Sequence, residues 1–99
     1  MVSKGGVIAV VVIATTPGMT AALYDESQRR MALEGALPPG CTQHIAGPSS
    51  EGWRVVAVWD SPEALQGFLT GTLRPTLTGL GVAAPPAPPV VYPLHAQIG

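Results

Sequence analysis

The stretch GWRVVAVWDSPEALQGFLTGTLRP, Gly52–Pro75, constrains the fold more than any other part of the chain. Trp53–Asp60 predicts a strand, because Val and Trp favour a pleated, half-buried surface. Apolar side chains fall on both faces of this strand, so neither face is expected to be left wholly to water. A helix start follows at once, since Ser61 can cap a helix and Pro62 suits the first helical position.

The helix that begins at Pro62 carries one apolar stripe at helical spacing. Its members are Leu65, Phe68, Leu69 and Leu73. Pro75 disfavours helical geometry at Arg74, so we expect this helix to end there. Leu77 and Leu80 can then form one further helical turn.

An earlier part of the chain predicts a second strand and helix. Val7–Ala14, VIAVVVIA, is a continuous, mainly β-branched run, which is typical of a central strand covered on both faces. It is too short to span a bilayer, which needs about 20 residues. Thr16 and Pro17 repeat the pair of cap and proline, and the helix is expected to run to about Leu37. The charged helix favours this interpretation over a signal peptide, and Met1–Gly6 is expected to be a loose leader.

The remaining segments predict two more strands. Cys41–Ala46 is a short strand, and the polar connection Gly47–Gly52 joins it to the next strand as a hairpin. Ala83–Pro89 is rich in proline, which favours an extended polyproline conformation and predicts a stiff connector. Val90–Ile98 is the last strand, and Pro93 within it predicts a position at a sheet edge.

The predicted order is strand, helix, strand, strand, helix, strand. This is the ferredoxin-like βαββαβ unit, an α+β fold with a four-stranded antiparallel sheet. The first and third strands are the most apolar, which agrees with the central positions that they usually hold in this unit. A chain of 99 residues fits one domain, since domains mostly span about 50–250 residues. We therefore predict a single domain over residues 1–99, with residues 83–89 as the connector to its last strand.

The composition narrows the choice of partners. Charged residues make up 11% of the chain, against about 25% in ordinary proteins. Some apolar surface is therefore expected to meet a second subunit in a homodimer. A net charge of −1 without a basic patch argues against nucleic acid. Cys41 is the only cysteine, so an intrachain disulfide is excluded and a cytoplasmic location is expected.

His44 is the first candidate for catalysis. It stands among apolar neighbours in a short strand, and the ordinary histidine pKa near 6.5 suits proton transfer at neutral pH. The alternative is a histidine satisfied by a backbone carbonyl or exposed at an edge. The hairpin register decides its face. Paired with Val56, it shares the face of Arg54 and Asp60, whereas paired with Val55 it shares the tryptophan face.

The other candidates are a second catalytic residue and a set of substrate contacts. Tyr24 could hydrogen-bond a substrate oxygen from the first helix, or it could be a core tyrosine with its hydroxyl at the rim. Trp59 and Phe68 could form an aromatic pocket wall or belong to the plain core. Arg54 could bind a carboxylate or phenolate, or form a surface salt bridge. The expected substrate contacts are Trp59, Phe68, Arg54, Trp53 and Met31.

The sequence predicts neither a metal nor a cofactor. In the predicted sheet, His44 and His95 lie on opposite edges, three strand spacings or roughly 14 Å apart. Metal–nitrogen bonds are about 2 Å, so one ion cannot reach both. The sequence also contains no glycine-rich phosphate loop, nucleophile elbow or zinc-ligand spacing.

Several short motifs accompany this order of elements. They are Tyr24–Asp25, PPG at Pro38–Gly40, His44, GW at Gly52–Trp53, VWDS at Val58–Ser61, and Phe68 followed by LRP at Leu73–Pro75. From about Val7 to His95, the chain resembles the small dimeric α/β-barrel proteins, the superfamily that includes the antibiotic biosynthesis monooxygenases. The resemblance implies a homodimer whose sheets pack face to face. It also implies a pocket in each subunit, between its sheet and its helices.

The resemblance suggests two hypotheses of function. Monooxygenases of this superfamily oxidise aromatic polyketides with oxygen itself, in a dry pocket with a few polar groups that are often Trp, Asn, Tyr or Arg. This chain departs from that pattern because it contains no Asn. The first hypothesis is a cofactor-independent enzyme of secondary metabolism that acts on a hydrophobic aromatic or polyketide-like molecule, by monooxygenation or by acid–base isomerisation or cyclisation. The alternative is a non-catalytic binding or dimerisation module. A pocket that holds both His44 and Tyr24 favours the enzyme.

Overall fold

The structure, a computed structural model, describes residues 8–85 and 87–98. The expected leader Met1–Gly6, the first residue of the expected strand, Val7, and Pro86 of the connector lie outside this range. Four strands form one antiparallel sheet: β1 Val10–Thr16, β2 Cys41–Ser49, β3 Gly52–Trp59 and β4 Val90–Pro93. Their order in the sheet is β2–β3–β1–β4. The ferredoxin-like fold is therefore confirmed, with the two most apolar strands in the centre.

The sheet has two different faces because side chains alternate along each strand. The inner face carries Val12 and Ala14 of β1 and Val55, Ala57 and Trp59 of β3, and the helices pack against it. The outer face carries the residues between them. Several of these outer residues are apolar, as expected for central strands that are covered on both sides.

The first helix, α1, spans Ala21–Arg30 and begins later than predicted. Thr20 is the cap, and its hydroxyl accepts a hydrogen bond from the Leu23 N–H at 3.1 Å. Gly18 has a φ of +82°, a left-handed conformation that interrupts a helix and favours glycine. The expected start at Thr16 and Pro17 is wrong because the chain first makes this turn.

The same helix also ends earlier than the expected Leu37. Ala32 has a φ of +59°, and its N–H bonds the Arg29 carbonyl while the Leu33 N–H bonds the Gln28 carbonyl. These two hydrogen bonds form a Schellman motif, which satisfies the last carbonyls of a helix. The motif usually contains glycine in the left-handed position. Here the residue is alanine, so the sequence carries no obvious stop signal.

The second helical region continues through the expected stop at Pro75. It consists of α2 Pro62–Phe68, a π-helical segment Leu69–Leu73, and α3 Arg74–Gly79. Ser61 caps α2 as predicted, because its hydroxyl accepts a hydrogen bond from the Ala64 N–H at 3.1 Å. The predicted end at Arg74 is wrong. The Arg74 N–H donates to the Leu69 carbonyl in the wide π pattern, and Pro75 falls in the first turn of α3, where a missing N–H is tolerated.

The bounds of all four strands differ from the prediction: β1 ends at Thr16 rather than Ala14, β3 spans Gly52–Trp59 rather than Trp53–Asp60, and β2 and β4 differ more. β2 continues past Ala46 to Ser49, so the hairpin loop shortens to Ser50 and Glu51. β4 ends at Pro93 rather than Ile98. Within the described residues, no helix has the length and apolar character needed to cross a membrane.

The core lies between the inner face and the helices. Its buried members are Val10, Val12, Cys41, Ala57, Trp59 and Leu65. Phe68 packs on Trp59 with 5.2 Å between the ring centres. This contact joins α2 to β3 within the stretch 52–75. α2 is therefore fixed against the strand that directly precedes it.

We expect Gly40→Ala to destabilise the fold strongly. Gly40 has a φ of +88°, and a Cβ there would lie 2.8 Å from the Ala64 Cβ on α2. Backbone strain of about 1–2 kcal/mol and overpacking of about 1–3 kcal/mol should add. Gly18→Ala is the matched control, because it has a similar φ but no heavy atom within 4 Å of the new Cβ. Urea unfolding measures both variants, and equal losses would contradict a packing role for Gly40.

Candidate functional site

A cavity lies between the inner face of the sheet and the helices. About 110 Å³ within it is open to the centre of a water molecule. Apolar side chains form most of its wall, and the α2–α3 region contributes Leu65, Phe68, Leu69, Leu73 and Leu77. The polar side chains at its wall include Thr16, Tyr24, Ser27, Gln28 and His44. The cavity therefore suits an apolar ligand that carries few polar groups.

His44 points into this cavity from β2. A register shift between Cys41 and Gln43 places His44 opposite Ala57. Neither of the two pairings considered from the sequence occurs, but the face is the tryptophan face, which the pairing with Val55 would also have produced. Burial lowers the pKa of His44 from its ordinary value of 6.5, so the imidazole is neutral at neutral pH.

Tyr24 reaches His44 from α1. The distance between Tyr24 Oη and His44 Nε2 is 2.6 Å. A neutral His44 with its proton on Nδ1 accepts this hydrogen bond from the Tyr24 hydroxyl. Burial raises the pKa of Tyr24, and the neighbouring Asp25 raises it further. Both members of the pair are thus neutral at rest, and the phenol proton lies on the bond to a basic nitrogen.

Two aromatic rings flank the phenol. The Tyr24 ring centre lies 5.1 Å from that of Trp53 and 6.0 Å from that of His44. The indole N–H of Trp53 is buried and has no hydrogen-bond partner among the described residues. This packing limits the freedom of the phenol ring and holds its hydroxyl against His44.

The structure brings most of the predicted substrate contacts together. Trp53, Trp59, Phe68 and Met31 all line the cavity. Trp59 is also a core residue, since its other contacts lie within the buried cluster. The two interpretations of Trp59, pocket wall and core, therefore describe different parts of the same side chain.

Arg54 does not belong to this site. It alternates with Trp53 and Val55 on β3, so it lies on the outer face. Its guanidinium contacts Glu51 at 2.8 Å and the Thr15 hydroxyl at 3.3 Å. The prediction that it binds substrate is wrong for this cavity, and its surface salt bridge is the alternative that the structure supports.

Sequence reasoning missed part of the cavity wall. Ser27 and Gln28 follow Tyr24 by three and four residues, which is the spacing of one helical face. Leu77 continues the spacing of Leu69 and Leu73, but the expected stop at Pro75 hid that continuity. His95 lies two residues beyond the end of β4. The described part of the chain contains no group of three or more His, Cys, Asp or Glu that could hold a metal.

We expect the burial of His44 to appear in the pH dependence of stability. Its pKa is 6.5 in the unfolded chain and lower in the fold, so the unfolded chain binds more protons between these two values. The free energy of unfolding should therefore fall as the pH decreases below about 6.5. Urea unfolding between pH 5.5 and 7.5 measures this slope, and His44→Gln should reduce it. An equal slope in His44→Gln would contradict the burial.

We compared the chain with family models, with curated proteins and with solved structures. No protein-family model matches the sequence, and a search of curated proteins finds no significant relative. A solved structure from Chloroflexus aurantiacus, provisionally assigned as an antibiotic biosynthesis monooxygenase, has a TM-score of 0.63 at 17% identity and covers 92% of this chain and 97% of its own. One from Caulobacter crescentus with the same provisional assignment has a TM-score of 0.52 at 25% identity, covering 94% and 92%.

A third solved structure carries a described activity. SnoaB, a cofactor-independent oxygenase from Streptomyces nogalater, has a TM-score of 0.54 at 19% identity and covers 95% of this chain and 97% of its own. All three likenesses extend over nearly the whole chain on both sides. The chain therefore has the ferredoxin-like fold of the antibiotic biosynthesis monooxygenase-like proteins, as its short motifs suggested.

Proposed function

We propose that this protein is a cytoplasmic enzyme that removes a proton from a hydrophobic aromatic, polyketide-like molecule without a dedicated cofactor. His44 is the base and Tyr24 connects it to the substrate. The observation that carries the proposal is the 2.6 Å hydrogen bond between these side chains at the wall of an apolar cavity. The fold shared with SnoaB supports it, because that protein is a cofactor-independent oxygenase.

The proton moves in two linked steps. A hydroxyl or activated C–H of the substrate gives its proton to Tyr24 Oη while the Tyr24 proton passes to His44 Nε2. Tyr24 is unchanged overall, and the imidazole becomes an imidazolium. Because burial raises the pKa of Tyr24, a free phenolate is unfavourable and the two transfers are expected to occur together. The lowered pKa of His44 keeps its nitrogen free to accept the proton at neutral pH.

The apolar wall decides what happens to the substrate anion. It leaves room for few water molecules, so the anion lasts long enough to react further, and it takes up a proton or deuteron from solvent where no faster reaction follows. Reaction with molecular oxygen at an activated CH₂ is a monooxygenation: one oxygen atom forms the ketone, and the other leaves as water with the two hydrogen atoms. Return of the proton at another position gives isomerisation, and attack within the same molecule gives cyclisation. The rings of Trp53, Trp59 and Phe68 provide surfaces for a flat substrate to stack on.

We expect the wild-type protein to accelerate deuterium exchange at the benzylic CH₂ of 2-tetralone, a small hydrophobic aromatic ketone. NMR in D₂O follows the loss of the proton signal. His44→Gln should lower the catalysed rate by about 10²–10⁴-fold, the usual contribution of a positioned base. Tyr24→Phe should lower it less, because the lost hydroxyl leaves Nε2 open to the substrate. Arg54→Ala, on the outer face, is the matched control and should keep the rate.

A binding measurement beside the exchange rate separates the enzyme from a non-catalytic module. Quenching of tryptophan fluorescence by 2-tetralone reports binding, since Trp53 and Trp59 line the cavity. Binding in all variants with no exchange above the buffer rate would contradict catalysis and support a binding module. An exchange rate that His44→Gln leaves unchanged would contradict the role of His44.

We also propose that two copies of the chain associate through their outer faces. Ile45 on β2 and Val90 on β4 are both 58% exposed, and Ile13 and Val56 lie between them on the same face. A continuous apolar row across a four-stranded sheet is a typical contact surface. With 11% charged residues in the chain, few charges are available to cover it.

We expect light scattering at micromolar concentration to give twice the 10.1 kDa mass of one chain. Ile45→Glu should shift the protein to the monomer, because an unpaired carboxylate would be buried in the contact. Leu37→Glu is the control, since Leu37 is also an exposed apolar residue but lies in the loop before β2. A monomer in the wild type, or equal effects of the two substitutions, would contradict a dimer through this face.

A further inference from the structure

The outer face contains two apolar rows that differ in burial. The first row runs across the sheet through Tyr92, Val11, Val58 and Gln43, and the second row through Val90, Ile13, Val56 and Ile45. On the two central strands, Val11 is 9% exposed and Val58 is 8% exposed. Ile13 and Val56 of the second row are only half-buried. The central side chains of the first row are therefore better shielded from water than those of the second row.

The segment after β4, Leu94–Ile98, has contacts at two opposite sides of this row. The Leu94 N–H bonds the Ala9 carbonyl at 2.9 Å, which holds the start of the segment beside β1. The side-chain amide of Gln97 donates to the side-chain oxygen of Gln43 on β2. β4 and β2 are opposite edges of the sheet, so the segment must cross both central strands between these two contacts.

The length and the face agree with such a crossing. Opposite edges of a four-stranded sheet lie roughly 14 Å apart, and three extended residues span about 10 Å. The two long glutamine side chains bridge the remainder. Gln43 lies opposite Val58, on the outer face, so the segment passes over the outer face along the first row.

We propose that Leu94–Ile98 is an intramolecular strap that covers the first row and is displaced from it when a second copy of the chain docks. The displacement of the strap rests on the dimer proposed above, whereas its position over the first row does not depend on a dimer. Two sheets that pack face to face lie about 10 Å apart, with their side chains interdigitated. A peptide lying on the first row occupies the space that the partner's side chains need. The strap therefore competes with the second copy.

The far end of the strap is held weakly enough to be displaced. His95, Ala96 and Gln97 are exposed, and Ile98 is 96% exposed. The Gln97–Gln43 contact is itself exposed to solvent, where water can replace an amide partner at little cost.

Two changes release the strap: a chain that ends at Pro93, and Gln97→Ala in the full-length chain. Gln66→Ala, at an exposed glutamine on α2, is the matched control. The first readout is the methyl NMR spectrum at a concentration that keeps all variants monomeric. Truncation should shift the methyl signals of Val11 and Val58 and leave those of Ile13 and Val56 nearly in place. Unshifted Val11 and Val58 signals would overturn the cover.

The second readout is the dimer dissociation constant from sedimentation equilibrium. Truncation should lower it about tenfold, the change that corresponds to about 1.4 kcal/mol, and Gln97→Ala should lower it less. A higher dissociation constant after truncation would overturn the competition, because it would place the segment within the dimer contact. If no variant dimerises at any concentration, the proposed dimer and the displacement both fail, while the methyl shifts still decide the cover.

Discussion

The antiparallel pairing of β1 with β3 is the constraint on which the rest of the structure depends. Seven residue pairs, from Val10 with Trp59 to Thr16 with Trp53, align the two most apolar strands side by side. Because side chains alternate, this pairing creates two apolar faces at once. The inner face receives the helices and encloses the cavity. The outer face is the surface on which we propose the strap and the contact with a second copy.

The candidate site is assembled from three separate elements. β2 presents His44, α1 presents Tyr24 and β3 presents Trp53, whose ring packs on the phenol. None of these residues is close to another in the sequence. The proton relay that we propose for this pair depends on burial, which lowers the pKa of the histidine and raises that of the tyrosine. In a more exposed pair, the pKa values of the histidine and the tyrosine would not be shifted in opposite directions.

The order of elements, the central strands and the Ser61 cap could be predicted because each has a local signal: a run of β-branched residues, or a serine followed by proline. The boundaries of α1 could not, since its end depends on a left-handed alanine that has no sequence signature. The face of His44 depends on one irregularity between Cys41 and Gln43, which alternation alone cannot locate. Arg54 was misassigned because its chemistry suited a ligand while its position on β3 did not.

The π-helical segment has a geometric consequence for the cavity. In an ideal α-helix of 3.6 residues per turn, side chains four apart drift by about 40° per step, so Leu77 would lie about 120° around the axis from Leu65. Yet Leu65, Leu69, Leu73 and Leu77 all line the same cavity. The wide turn at Leu69–Leu73 winds the chain less per residue and cancels part of that drift. Deleting one residue there would restore the ordinary winding and leave α3 facing the cavity, because four residues at about 100° turn the chain about as far as five residues at about 80°.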